Sequence, residues 1–180
     1  MLPKSWVSNR LSFATFDAGG SAVAKEIYDS CAYLRDLDPH FGDYPLEEFE
    51  AYIRNDQTGA AREGTPNFYL RCIYHLETST PVGYVQFELD APAYRQCWLP
   101  MFLLRPEFHG DGYGAEALQS LLHEIDKIGD VDTVGLNVYA ENVRAFRFWF
   151  RCGWRTILGV DEESVNGKQY TCVTLSRNLD

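Results

Sequence analysis

LLRPEFHGDGYGAEAL, residues 103–118, joins the end of one apolar run to the start of another with a different period. Upstream, Arg95 to Leu104 is apolar and partly alternating, long enough for a central strand. Downstream, Leu118, Leu121, Leu122, Ile125 and Ile128 recur at helical spacing. Between them Gly110, Gly112 and Gly114 alternate. At an average glycine usage of about 7%, such a triplet arises by chance in roughly one chain in fifteen of this length, so its position says more than its pattern. Glycines between a strand end and a helix start let the backbone turn tightly and approach a ligand, while free N–H groups and the helix dipole face outward. That arrangement holds phosphate without a basic side chain, and it equally serves a plain strand-to-helix turn. The spacing matches neither GxxxxGK[ST] nor GxGxxG, which argues against a phosphate-loop NTPase and a dinucleotide fingerprint.

Pro100 lies inside the upstream run, and a residue without an N–H predicts either an edge strand or a bulge there. Towards the N-terminus, Val23, Ile27, Cys31 and Leu34 predict a helix over residues 21–36 behind Gly19-Gly20-Ser21. Asp43-Tyr44-Pro45 predicts a second helix start, with Glu47 and Glu48 near its positive end and Leu46, Phe49 and Ile53 on one face. Residues 57–66 read as a loop, Asn67 to Leu76 as a strand and Thr80-Pro81 as a turn. In the strand Gly83 to Leu89, Val85, Phe87 and Leu89 alternate with Tyr84, Gln86 and Glu88. Towards the C-terminus come a strand, Val134 to Tyr139, and a short helix, Asn142 to Cys152, closed by Gly153. A hairpin then pairs Arg155 to Val160 with Gln169 to Ser176 across Asn166-Gly167. Strands alternating with helices predict a mixed α/β fold.

With 180 residues, 46% of them hydrophobic, one domain over residues 1–180 with a large core is expected. The net charge of -10, from 26 acidic against 16 basic residues, argues against a nucleic-acid or anionic-membrane surface. It leaves room for a small anion held by backbone dipoles and suits a cationic partner. Apolar stretches fall short of the roughly 18 residues that span a bilayer, and MLPKSWVSNRLSFATF lacks a continuous signal core. The five cysteines (Cys31, Cys72, Cys97, Cys152, Cys172) form no CxxC pair, and the four histidines no HExxH. A cytoplasmic protein with free thiols and no metal is expected.

The segment LLRPEFHGDGYGAEAL, followed about thirty residues later by NVRAFRFWFRCGW, resembles the two core motifs of the GNAT acetyl-CoA-dependent N-acetyltransferases. The first motif, Arg/Gln-x-x-Gly-x-Gly/Ala, is matched by His109-Gly110-Asp111-Gly112-Tyr113-Gly114 after Pro106-Glu107-Phe108, and the second, Asn-x-x-Ala, by Asn142 and Ala145 with Trp149 and Gly153-Trp154. The resemblance covers residues 81–176 and includes a closing strand similar to that of the ribosomal-protein and polyamine branch. It implies a mostly antiparallel mixed sheet, splayed at its middle near Pro100 to seat acetyl-CoA. Backbone groups of Phe102 and Leu104 would pair with the pantetheine arm, the amides of residues 109–114 would hold the pyrophosphate, and Asn142 would lie near the cofactor arm. Asn142 is equally suited to cap the helix that follows it.

Three positions depart from the family. His109 replaces the usual Arg or Gln, though its ring can still donate to phosphate, and Asp111 stands where a basic residue is frequent, so either backbone amides carry more of the binding or Asp111 points to solvent, the favoured reading. Trp149 replaces a frequent tyrosine, and an indole N–H is no practical acid for the departing thiolate. It reads as core packing beside Phe146 and Phe150, with Tyr113 and Tyr139 as the remaining hydroxyls. For the proton of the attacking amine, Glu88 is the first candidate, with Glu141 behind it, and a solvated carboxylate is the plainer reading of Glu88. The expected function is transfer of acetyl from acetyl-CoA to a primary amine of a small molecule or protein N-terminus, without a covalent intermediate. The alternative is a catalytically silent acyl-CoA-binding sensor or partner module. The expected partners are an amine acceptor, with cationic amines favoured, and a second copy in a homodimer.

Overall fold

The computed structural model describes residues 2–17, 19–58 and 67–179. The elements run β1 (Ser5–Val7), β2 (Leu11–Ala14), α1 (Ser21–Ser30), α2 (Leu46–Thr58), β3 (Phe68–His75), β4 (Pro81–Leu89), β5 (Gln96–Leu104), α3 (Tyr113–Asp126), β6 (Thr133–Tyr139), α4 (Val143–Arg151), β7 (Thr156–Val165) and β8 (Lys168–Asn178). One eight-stranded sheet has the order β1-β2-β3-β4-β5-β6-β8-β7, antiparallel except between β5 and β6. The mixed α/β class expected from the sequence is the class found.

Each face of the sheet is covered over part of its width. Val85, Phe87 and Leu89 point with Val134, Leu136 and Val138 into a core closed by Leu118, Leu121 and Ile125 of α3 and Trp149 of α4. The opposite face carries Leu70, Cys72, Tyr84 and Leu103 against Ile27 and Tyr28 of α1 and Phe49 and Ile53 of α2. The row Tyr84, Gln86 and Glu88 therefore faces α1 and α2, and all three residues are buried. A solvated Glu88 does not fit, because helices cover both faces of β4.

The register around Pro100 controls the middle of the sheet. Gln86 pairs with Met101 and Glu88 with Trp98, so Leu99 and Pro100 together stand opposite Phe87. This is a bulge in a central strand, not an edge. On its other side β5 runs parallel to β6 only from Gln96–Thr133 to Trp98–Gly135, and beyond that pair the strands part.

Three features differ from the sequence reading. The helix over residues 21–36 stops at Ser30, where the Ser30 hydroxyl donates to the Ile27 carbonyl at 2.6 Å and the Cys31 N–H to the Tyr28 carbonyl at 2.9 Å. The tightened turn leads into a separate 3₁₀ segment, Ala32–Asp36. Pro81 opens β4 instead of sitting in a turn, and residues 59–66 of the expected loop lie outside the described residues. The N-terminal strands β1 and β2 carry no usable periodicity, since each is only three or four residues long. Tertiary burial holds them: Leu11 and Phe13 are almost fully enclosed.

A buried ion pair fastens α2 to β3. Arg71 Nη1 donates to both carboxylate oxygens of Asp56, at 2.9 and 3.1 Å, and the Leu70 N–H donates to Oδ1 at 3.2 Å. Both side chains are at most 4% exposed. Removing one partner of such a pair leaves an uncompensated charge inside the protein. Asp56→Ala should therefore lower stability by about 3–5 kcal/mol in urea unfolding. A loss below 1 kcal/mol, the range of exposed pairs, would show that water reaches the guanidinium.

Candidate active site

The parted strands expose backbone. The Arg105 N–H donates to the Val82 carbonyl at 2.8 Å, so antiparallel alternation puts Leu103 and Tyr84 in the next bonded pair. Phe102 and Leu104, opposite Val85 and Gly83, fall at non-bonded positions, with N–H and C=O turned away from β4 towards the gap. Two side chains find the Leu104 carbonyl there: His109 Nε2 at 2.8 Å and Cys31 Sγ at 3.4 Å. The gap continues into a cleft of about 600 Å³ between the end of β5, the glycine turn and α4.

At its upper end the cleft meets the N-terminus of α3. Gly110 and Gly112 have φ of +98° and +81°, and Gly112 is the N-cap with no side-chain partner. The first backbone bond of the helix runs from the Glu116 N–H to the Gly112 carbonyl at 3.0 Å. The amides of Tyr113, Gly114 and Ala115 precede it and are donors without helical partners, at the positive end of the helix dipole. Gly114 and Ala115 line the cleft together with His109, Gly110 and Gly112.

The charge of the cleft is opposite to that of the chain. Among its described lining residues are Arg144 and Arg151 and no carboxylate, in a protein of net charge -10. Arg144 lies close enough to His109 and Tyr33 for its charge to act on both. Behind the turn, Arg10 donates from Nε to Glu116 at 2.7 Å and from Nη1 to the Asp111 carbonyl at 3.1 Å, with its guanidinium 4.1 Å from the Tyr113 ring centre. Burial would raise the Glu116 carboxyl, but the Ser8 hydroxyl and the Arg10 backbone and side chain hold it below its ordinary value. The acid thus stays charged and anchors the β1–β2 turn to the glycine loop.

The expected site residues fall into distinct groups. Phe102, Leu104, His109, Gly110, Gly112, Gly114 and Asn142 all line the cleft. The His109 ring, however, turns to the Leu104 carbonyl instead of reaching for phosphate. Its Nδ1 is enclosed without a partner, and burial, opposed by the Leu104 bond, lowers its pKa. Asp111 is exposed outside the cleft, as its charge leads one to expect. The Tyr113 side chain packs against Arg10, His75 and Phe108, away from the cleft, leaving its amide as the contributing group. Asn142 caps α4 by accepting the Ala145 N–H at 3.1 Å while still lining the cleft. Trp149 is 8% exposed and packs against Phe102, Phe148 and Trp154. Glu88 sits on the other face of the sheet, beside the bulge.

Arg10 and Arg144 are additions that the sequence reading missed. Arg144, Phe148 and Arg151 share an i, i+4, i+7 stripe of α4, a signal that could have found Arg144. Arg10 has no such signal, being 106 residues from Glu116.

A parted parallel strand pair beside an unfilled helix N-terminus and an electropositive cleft suits a long anionic ligand that pairs with backbone. The model of the acetyltransferase (GNAT) family matches residues 24–154. The chain belongs to that family. Acetyl-CoA is accordingly its cosubstrate, and the residues present fit it: free amides for the pyrophosphate and, for the pantetheine amides, a strand edge that β6 leaves unpaired. The GNAT fold is equally plain among solved structures. The ribosomal L7/L12 α-N-protein acetyltransferase RimL in complex with coenzyme A is 17% identical, with a TM-score of 0.78 over 97% of each chain. The microcin C7 self-immunity acetyltransferase MccE, in complex with acetyl-CoA and AMP, is 15% identical with a TM-score of 0.73, covering 96% of this chain and 94% of that one. YncA of Salmonella typhimurium, a putative acetyltransferase with its cofactor acetyl-CoA, is 15% identical with a TM-score of 0.71 over 96% and 95%. No curated protein matches the sequence.

Gly112→Val places a β-branched side chain at φ +81°, a strained conformation for it, and should weaken CoA binding at least about tenfold by calorimetry in the folded variant. Unchanged affinity would remove the turn from the phosphate site. For His109 the folded chain binds its proton more weakly than the ordinary 6.5, so the unfolded chain protonates first as pH falls. The stability it contributes is full above pH 6.5 and is lost as pH drops below that value. His109→Gln should flatten this slope in urea unfolding between about pH 7.5 and 5. Parallel profiles in variant and parent would mean that His109 titrates normally.

Proposed function

We propose that this acetyltransferase moves the acetyl group of acetyl-CoA to a primary amine of a small molecule or protein N-terminus, by direct attack. The observation that carries the reading is the parting of β5 and β6: beyond Trp98–Gly135 the strands no longer pair, which leaves an opening between them next to the Leu99–Pro100 bulge. A thioester laid along Phe102 and Leu104 would place its carbonyl near that opening, where an amine can approach from the opposite face. The amine nitrogen bonds to the acetyl carbon, the carbon–sulfur bond breaks, and CoA leaves as thiol or thiolate. Burial raises all five cysteine thiols, that of Cys72 to about 12, so none is ready as a thiolate nucleophile. This supports direct transfer over an acyl-cysteine intermediate.

The attacking nitrogen must lose a proton. Glu88 is the carboxylate we assign to receive it, directly or through water: it lies on the approach face, paired in register with Trp98 at the point of parting. A carboxylate that is 8% exposed is largely kept from bulk water. With Trp149 packed into the core, no phenol stands at that position to protonate the thiolate, and solvent serves the leaving group. Structures of the same fold include one described as modifying the N-terminal serine of the 50S ribosomal subunit protein L7/L12, so this architecture accommodates protein acceptors.

Glu88→Gln should keep CoA affinity and lower kcat by about 10²–10⁴, with the acid limb of the pH–rate profile lost or displaced. Activity is read as thiol release across a panel of amines. A kcat within threefold of the parent would take Glu88 out of the proton path. CoA binding without thiol release for any amine would overturn the transfer reading itself.

A further inference from the structure

Beyond α1 and α2, the sheet face opposite the cofactor cleft carries groups that neither cofactor binding nor Glu88 employs. Tyr139 of β6 pairs with Cys172, Cys172 with Asp161, and Tyr170 with Glu163. Directly opposed residues share a face, so these five side chains stand together, while the alternating Val138 and Val173 enter the core. The segment between α1 and α2 brings His40 over them. Its Nε2 lies 3.2 Å from Glu163 Oε2, and the Tyr139 hydroxyl donates to the other oxygen of the same carboxylate. Glu163 is thereby held from both sides by residues far away in sequence. The Tyr139 hydroxyl, the largest influence, also keeps its carboxyl below the ordinary value.

Two observations connect this cluster to an amine. First, Tyr139 ends β6 beyond the parting, and its carbonyl accepts the Asn142 N–H of the cofactor cleft at 2.9 Å. The cluster therefore stands on the far wall of the same opening. From Gly135 to Tyr139 is four residues, about 13 Å of extended strand, which separates the cluster from the point of transfer. Second, an alkylammonium already rests on this surface. Lys168 Nζ lies 4.6 Å from the Tyr170 ring centre and donates to the Asp36 carbonyl at 2.6 Å, and Tyr170 meets Tyr139 edge-on with centroids 6.0 Å apart. Aromatic faces beside a fixed carboxylate attract ammonium groups.

We propose that Glu163, set between His40 and Tyr139, anchors the remote ammonium of a linear polyamine acceptor whose other, terminal amine reaches the parted strands for acetylation. This assignment rests on the transfer reading above and adds the class of acceptor. The separation along β6 excludes a short monoamine from using both ends, since only a chain with a second cation at a distance spans them. Glu163 is a binding group here and takes no part in the transfer step.

The test uses the intact protein with saturating acetyl-CoA and two acceptors of similar length, spermidine, which carries two cations beyond the reacting amine, and n-octylamine, which carries none. The parent should show a KM at least tenfold lower for spermidine. Glu163→Gln and Tyr139→Phe should shrink that advantage to less than threefold while CoA affinity holds. Glu162→Gln, the same charge change on the opposite face of the hairpin, should keep it. Equal KM values for both amines in the parent would overturn the polyamine assignment, as would an undiminished advantage in Glu163→Gln. So would preferential turnover of a basic tripeptide, and in each of these cases acetyl transfer itself still stands. A lack of thiol release with every amine tried would sink the transfer reading. Spermidine binding to the CoA-loaded parent by calorimetry, weakened tenfold in Glu163→Gln, would then still support the anchor, and its absence would overturn it.

Discussion

The cleft that fits acetyl-CoA depends on β5 and β6 ceasing to pair after Trp98 and Gly135. Parallel strands in the middle of a sheet normally continue, because each lost ladder bond leaves polar groups to be satisfied elsewhere. Two local facts make the separation stable. The Leu99–Pro100 bulge bends β5 and increases its local twist while β4 keeps its hold through Met101 to Leu104. The Trp98 ring also occupies the space over Gly135, where a Cβ would come within 2.8 Å of Cζ3. The last paired residues are thus locked by packing. Beyond them β6 has β8 on its other side as far as Tyr139–Cys172, so neither parted strand loses its second neighbour.

The electrostatics of the cleft follow from what the glycine turn lacks. With His109 turned inward and neutral and Asp111 carrying the wrong sign for an anion, the motif itself offers amides and a helix dipole. Arg144 and Arg151 enter the cleft from α4, and Arg10 offsets the acids behind the turn. Few cations suffice, because inside a partly enclosed site a charge acts through a lower effective dielectric than on the open surface. A net charge of -10 is therefore compatible with binding CoA: the potential that matters is the local one.

What could be read from the sequence depended on the range of the interactions involved. The strand–glycine turn–helix unit and the Asn142 helix are encoded by neighbours, and both form where their periodicities put them. So does the Pro100 bulge, since a missing donor is a property of one residue. Positions set by distant partners escaped. β1 and β2 are too short to show a period, and the Arg10–Glu116 clasp has no local trace. The His109 ring has two chemically reasonable partners, and only the fold decides that the Leu104 carbonyl is nearer. Strand alternation places Glu88 on the face opposite Val85, Phe87 and Leu89, where it is found, but carries no sign that α1 and α2 cover that face of β4.

The same distinction separates the two halves of the enzyme. The cleft that fits acetyl-CoA is lined mostly by two segments close in sequence, residues 102–115 and 142–152. The opposite face is assembled from chain segments that meet only in the folded state, as in the contact of His40 with Glu163 across 123 residues. Substitutions in the α1–α2 connection or the β7–β8 hairpin can therefore reshape that face without touching the bulge or the glycine turn. Loops tolerate such changes because few buried backbone bonds depend on them. A fold arranged in this way keeps its donor fixed while its acceptor varies, and sequence motifs consequently carry the cofactor and leave the amine to be found by geometry.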